Sequence, residues 1–140
     1  MKVVIYARAS VEAQKKFLDE RIEKMKKYAD TMGWTVIDTF VDVGFLGNTL
    51  ERPALQDMIN FIKTQNVDRV LISKLDRLSS NTSDIQFLIE DIFLKNNTHL
   101  VSLCEKIDTA QSYDERMLKI LDAAAQLFKQ LEGEEDEWST

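Results

Sequence analysis

A hydroxyl and a guanidinium two residues apart close the first apolar run, in Tyr6-Ala7-Arg8-Ala9-Ser10. Arg8 is able to neutralise a phosphate and Ser10 to attack it, the pairing that nucleophilic phosphoryl transfer needs. A serine at the head of a helical pattern is also suited to an N-cap, and taken alone this segment favours the cap. A second polar cluster, Lys74-Leu75-Asp76-Arg77-Leu78-Ser79, follows a later apolar run. There Asp76 offers a proton donor and Arg77 a second positive clamp for a phosphoryl transition state; the alternative is a surface ion pair in a loop.

The elements that must position these residues are legible from periodicity. Val3 to Ala7 is a β-branched run suited to a buried strand, and Leu18, Ile22, Met25, Ala29 and Met32 recur at helical spacing until Gly33. Trp34 to Val41 alternates as a second strand, and Asp42 to Arg52, with Gly44 and Gly47, reads as a mobile loop. Pro53 fits a helix first turn, and Leu55, Met58, Ile59 and Ile62 form that helix's apolar face.

Val67 to Ile72 makes a third strand, running into Ser73-Lys74 and a loop. Asn81, Thr82 and Ser83 offer caps for a helix carrying Ile85, Leu88, Ile89, Ile92 and Phe93, and Leu100 to Cys104 makes a fourth strand. The βαβαβαβ order predicts an α/β fold, a mainly parallel four- or five-stranded sheet flanked by helices. Its carboxyl edge then gathers both polar clusters. Ser112 and Glu115 form a capping box for a long last helix over residues 112–131, with Met117, Leu121, Ala124, Phe128 and Leu131 on one seam. Leu118, Ile120, Ala125 and Leu127 add apolar surface off that seam, so a homodimer contact is expected there, the alternative being a helix buried in its own domain.

Composition bounds the rest. The 140 residues, 44% hydrophobic, suit one core, expected over residues 1–131. Glu132, Glu134, Glu135, Asp136 and Glu137 make residues 132–140 an acidic, disordered tail. Without those five acids the 24 acidic residues fall to 19 against 18 basic ones, so the body is near neutral and any DNA affinity must be local. Lys15, Lys16, Arg21, Lys24, Lys26 and Lys27 form the best patch, although intermingled acids suit an ordinary solvated helix face. A single cysteine, Cys104, excludes an internal disulfide and is read as a core thiol, and the short N-terminal apolar run suits neither a signal peptide nor a span. A cytoplasmic protein is expected. A receiver or metal-dependent phosphatase would need clustered acids at the first strand end, nucleotide binding a Gly-rich loop, and a histidine-centred site more than His99.

Tyr6-Ala7-Arg8-Ala9-Ser10, Gln14, Gly33-Trp34, Asp42-Val43-Gly44, Arg52-Pro53-Ala54-Leu55 and Lys74-Leu75-Asp76-Arg77-Leu78-Ser79 follow the order and spacing of serine site-specific recombinases. The segment Leu103-Cys104-Glu105-Lys106-Ile107-Asp108-Thr109 extends the resemblance, which covers about residues 1 to 131 and is greatest to the large serine integrases of phages and mobile elements. It implies a resolvase-like catalytic domain in which Ser10 attacks a DNA phosphodiester, leaving a free 3′ hydroxyl and a 5′-phosphoserine link, with no metal or nucleotide. Arg8, Arg52 and Arg77 would stabilise charge on the phosphate, Asp76 would assist proton transfer, and Tyr6 and Gln14 would support the site. The last helix would form a dimer, and a tetramer in synapsis.

The chain departs from the family pattern where it has Leu46 in place of a serine, Ser80 in place of an arginine, Arg21 in place of a glutamine and Phe128-Lys129 in place of a Glu-Arg pair. Arg21 and Lys129 are candidates to compensate in charge. The family's separate DNA-binding domains are not in this sequence, so two functions stay open. One is the catalytic domain of a recombinase, alone or part of a longer integrase. The other is a catalytically impaired relative that dimerises and regulates or partners an active recombinase.

Overall fold

The computed structural model describes residues 1–11, 14–111, 113 and 123. Strand β1 (Lys2–Ala9) is central, and every residue after Lys2 is buried, as expected of a strand covered on both faces. Alternation sends Val4 and Tyr6 to one face and Val3, Ile5, Ala7 and Ala9 to the other. Helix α1 (Lys15–Thr31) covers the second face with Leu18, Ile22, Met25 and Ala29. Met32, read as part of that stripe, lies past the helix end and is exposed.

Strand β2 (Thr35–Val43) starts one residue after Trp34 and pairs in parallel with β1. It is an edge strand, so its residues are only partly covered. Trp34 packs edge-on against Tyr28, with ring centroids 5.7 Å apart. The loop after β2 is anchored at both ends of its glycine pair: the Gly44 N–H donates to the Ala9 carbonyl, and the Gly47 carbonyl accepts from the Ser80 N–H. Helix α2 (Pro53–Thr64) begins with proline at its first turn and buries Leu55, Met58, Ile59 and Ile62 on the first sheet face.

Strand β3 (Arg69–Ile72) lies on the other side of β1. The segment expected to be a plain loop then folds into one helical turn, α3 (Leu75–Leu78), because Leu75 and Leu78 both reach the core under α2. Helix α4 (Thr82–Phe87) is capped as expected by the Asn81 carboxamide, which accepts from the Ser83 and Asp84 amides. It continues as a π-helical turn over Leu88–Phe93 and a 3₁₀ turn over Leu94–Asn96, ending at left-handed Asn97. Strand β4 (His99–Ser102) stops before Cys104, which is half-buried in a turn and not a core thiol. A short antiparallel β5 (Ile107–Asp108), absent from the βαβαβαβ order, completes the sheet β2-β1-β3-β4-β5.

The protein is thus an α/β domain with a mostly parallel five-stranded sheet flanked by helices. Among the described residues no helix is long and apolar enough to cross a membrane. Apart from residues 113 and 123, the expected 112–131 dimer helix lies outside the described residues, as do the 132–140 tail and the Phe128-Lys129 departure.

Candidate active site

Parallel strands direct their carboxyl ends to one edge, and both polar clusters meet there. Ser10 does not cap α1: the helix begins at Lys15 and its cap position is Gln14, which makes no side-chain cap bond. Ser10 is half-buried just past β1, and its Oγ accepts a 3.1 Å hydrogen bond from Nη1 of Arg8. Among the described residues no carboxylate or histidine is hydrogen-bonded to it.

Arg8 ties the clusters together. Its remaining donors reach the Phe45 carbonyl at 3.0 Å, the Arg77 carbonyl at 3.1 Å and the Asp76 carbonyl at 2.7 Å. One guanidinium therefore touches both the Ser10 hydroxyl and the backbone of α3. Burial, with the nearby charges of Arg77 and Arg52, pushes the Arg8 pKa down to about 10, so it stays cationic at neutral pH. The buried Gly47 makes this fit: a Cβ there would stand 2.8 Å from Nη2 of Arg8 and 3.2 Å from the Ser80 amide nitrogen.

Arg52 is fully buried. It donates to the Thr49 carbonyl at 2.9 Å, the Tyr6 hydroxyl at 2.9 Å, the Arg77 carbonyl at 3.2 Å and the Leu78 carbonyl. Its guanidinium also lies 5.6 Å from the Tyr6 ring centroid. In this arrangement Arg52 clamps the α3 backbone, and its buried charge adds to the positive potential of this edge.

Tyr6 passes the network on, donating at 2.7 Å to Oδ2 of Asp42. Burial and the Asp42 hydrogen bond raise the Tyr6 pKa, keeping the phenol protonated as a donor. Asp42 in turn accepts from the Ala54 and Leu55 amides at the start of α2, at 2.9 and 3.1 Å. A carboxylate at a helix N-terminus is favoured by the orphan amides there. Asp42 had no assigned role in the sequence reading, although its motif was visible. Its function needed the register that pairs it with Arg8 across β1 and β2.

Asp76 and Arg77 sit on α3 and bond each other, Nε to Oδ1 at 3.0 Å, while Lys74 reaches the other carboxylate oxygen at 3.3 Å. Burial opposes ionisation of Asp76, but the Arg77 and Lys74 contacts outweigh it and hold the carboxyl below its usual range. In this arrangement Asp76 is an ionised acceptor, not a loaded proton donor. Arg77 also donates to the Arg8 carbonyl at 3.3 Å.

The structure therefore brings together Tyr6, Arg8, Ser10, Arg52, Asp76 and Arg77. Gln14 is exposed, and its side chain makes no hydrogen bond to the other site residues; Arg21 is half-buried on α1; Lys129 is outside the described residues. At the departures, Leu46 is 60% exposed beside the Phe45 carbonyl, and Ser80 is exposed with its amide held by Gly47. The sequence reading also missed Glu105, Gly47 and the Phe45 carbonyl. Gly47 was visible as a loop glycine beside Gly44, and Glu105 as part of the Leu103–Thr109 segment, but neither had a role without the fold.

The model of the resolvase N-terminal domain family matches residues 3–137. The chain is similar to the N-terminal catalytic domain of TP901-1 integrase, at 44% identity and a TM-score of 0.79, covering 94% of this chain and 99% of that one. The fold is also shared with a resolvase family site-specific recombinase from Streptococcus pneumoniae, at 24% identity and a TM-score of 0.73 over 93% of this chain and 89% of that one. It is shared again with the C-terminal catalytic domain of ISC1926 TnpA, an IS607-like serine recombinase, at 22% identity and a TM-score of 0.69 over 99% and 91%. No curated protein sequence matches the chain significantly. With the family model spanning nearly the whole chain and a solved integrase domain at 44% identity, this protein belongs to the resolvase N-terminal domain family of serine site-specific recombinases.

Proposed function

We propose that residues 1–131 form a catalytic domain that cleaves and rejoins DNA at specific sites, with Ser10 as nucleophile. The observation that carries this reading is the Arg8 guanidinium, shared between the Ser10 hydroxyl and the Asp76-Arg77 turn. Ser10 Oγ attacks the phosphorus of a DNA phosphodiester and the bond to the 3′ oxygen breaks. The serine proton passes to solvent and the 3′ oxygen gains one, so the phosphoester is conserved in a 5′-phosphoserine and the step is reversible. Arg8 and Arg77 supply fixed positive charge where the pentacoordinate oxygens develop theirs, with Arg52 adding its field. A phosphate that draws Arg77 away from Asp76 would loosen the pairing that holds Asp76 ionised, letting that carboxyl take and return the leaving-group proton.

The apolar residues over 112–131 suit dimerisation, with a tetramer for strand exchange, and the acids over 132–140 suit a segment that faces solvent. The near-neutral body suits a domain whose DNA affinity is supplied mainly by attached DNA-binding domains. The test joins the chain to a sequence-specific DNA-binding domain, incubates it with supercoiled DNA carrying paired sites and resolves a covalent protein–DNA band on denaturing gels. Wild type gives the band and Ser10→Ala does not. A wild type without adduct, beside an active relative under the same conditions, overturns the reading.

The second reading, an impaired relative that partners an active recombinase, is favoured by exposed Leu46 and by Ser80 where the family pattern has polar phosphate-facing groups. It predicts no adduct alone and a changed recombination rate when mixed with the active relative.

A further inference from the structure

We propose that Glu105 is a positioning residue for the α3 turn, holding the Leu75 amide and with it the pitch that aims Asp76 and Arg77. This deepens the recombinase reading and rests on it for its catalytic consequence. Glu105 lies in the turn between β4 and β5, tightened by left-handed Lys106 and anchored where the Leu103 and Cys104 amides donate to the Ile72 and Ser73 carbonyls. The geometry returns the half-buried carboxylate to the end of β3. Both its oxygens accept from the Leu75 amide, at 3.3 and 3.2 Å, and Oε1 also accepts from the fully buried Ser102 hydroxyl.

Leu75 is the first residue of α3, directly before Asp76. The carbonyls of Asp76, Arg77 and Leu78 are the acceptors that grip Arg8 and Arg52. A four-residue helical turn has little cooperative stability of its own, so an external acceptor at its first amide matters more than in a long helix. Glu105 thus sits one peptide from the proposed chemistry without touching the nucleophile.

The charged groups around it sharpen the test. Burial raises the Glu105 pKa against the lowering effect of Ser102 and Leu75, and the Asp76 charge adds to the rise. Asp76 is held low by Arg77 and Lys74. On acidification Glu105 therefore takes up its proton before Asp76, and its grip on the Leu75 amide weakens first.

Two readouts test this on the full chain. In the isolated 140-residue protein, NMR follows hydrogen exchange of the Leu75 amide, the Arg77 Nε–H signal and the carbon-13 titration of the Glu105 carboxyl. In the DNA-targeted fusion, adduct formation is followed against pH. Glu105→Ala, with its fold checked by circular dichroism, should speed Leu75 exchange and slow adduct formation, each by about 10-fold. Glu105→Gln keeps an oxygen acceptor, so it should restore adduct formation to within about 3-fold at neutral pH while removing the acid limb that Glu105 contributes.

Unchanged Leu75 exchange and Arg77 signal in folded Glu105→Ala overturn the proposal, as does an unchanged adduct rate in an active fusion. A wild type that forms no adduct overturns the recombinase reading instead, and the Leu75 and Arg77 signals then judge Glu105 by themselves.

Discussion

Buried arginines stand at opposite edges of the same sheet, and their partners differ in kind. At the amino edge, Arg69 pairs with Asp108 at 3.2 Å, covers the Trp34 ring at 5.1 Å and contacts the Met1 sulfur. Its charge is cancelled where it lies. At the carboxyl edge, Arg8 and Arg52 donate to backbone carbonyls and to the Ser10 and Tyr6 hydroxyls, with no carboxylate among their hydrogen-bond partners in the described residues. Those acceptors orient the guanidinium groups without a carboxylate bonded directly to them. Although Asp76 pairs with Arg77 at that edge, at 3.0 Å, Arg8 and Arg52 keep positive potential there for an anion. Burial of charge without a bonded counter-ion is costly, so this difference makes the carboxyl edge the better candidate for function.

The largest expected effect breaks the carboxyl-edge clamp. Arg52→Met strands the Thr49 and Leu78 carbonyls and takes one donor from the Arg77 carbonyl and the Tyr6 hydroxyl, and chemical denaturation should show a loss of about 3–4 kcal/mol. Next, Arg77→Gln removes a half-buried cation that the fold needs less. Adduct formation by the fusion should fall about 10²- to 10³-fold while the denaturation midpoint moves little. That separation of stability from rate is what distinguishes a clamp from a charge aimed at substrate.

Gly47→Ala tests the contact that fits the loop over Arg8. Its methyl would meet the pinned guanidinium and the Ser80 amide, and the cost in stability should be about 1–3 kcal/mol. At the amino edge, Arg69→Met combined with Asp108→Asn removes a charge together with its partner. The double variant should lie within about 1 kcal/mol of wild type, whereas Arg69→Met alone costs more because Asp108 is left half-buried and unpaired, a contrast a double-mutant cycle measures.

The smallest effect is a pH dependence. The folded Asp76 pKa lies below its unfolded value of 3.8, so the stability from its Arg77 and Lys74 contacts is present above that pH and lost as pH falls through the folded value. Asp76→Asn should remove this acid-limb contribution from thermal unfolding measured between neutral pH and pH 3. A variant with the wild-type acid profile would show that Asp76 is not held by its cations.

Apolar spacing was enough to place β1 and α1, and with Pro53 and the Asn81 cap it placed α2 and the start of α4, because continuous or regularly spaced apolar residues have few ways to be buried. It fell short at β2, read up to Val41 and not to Val43, where a half-exposed edge strand weakens the alternation. It also fell short at α3, a single turn too brief to show a period. Ser10 and Arg8 were visible by residue type, and the ordered motifs pointed to the family. That Ser10 is not the cap of α1 was not visible, since it depends on where α1 begins in space.

The local chain by itself thus determined the α/β class, the central strand and the residues brought to its carboxyl edge, since these follow from apolar spacing and the geometry of parallel strands. The tertiary structure decided how those residues divide their work. Asp42 became the cap of α2, Arg52 a buried clamp, and Glu105 the acceptor for the Leu75 amide. Each of those roles is a contact between segments 13 to 30 positions apart. No local pattern records such contacts, because a hydrogen bond across the fold depends on the relative placement of whole elements and leaves no period in the chain.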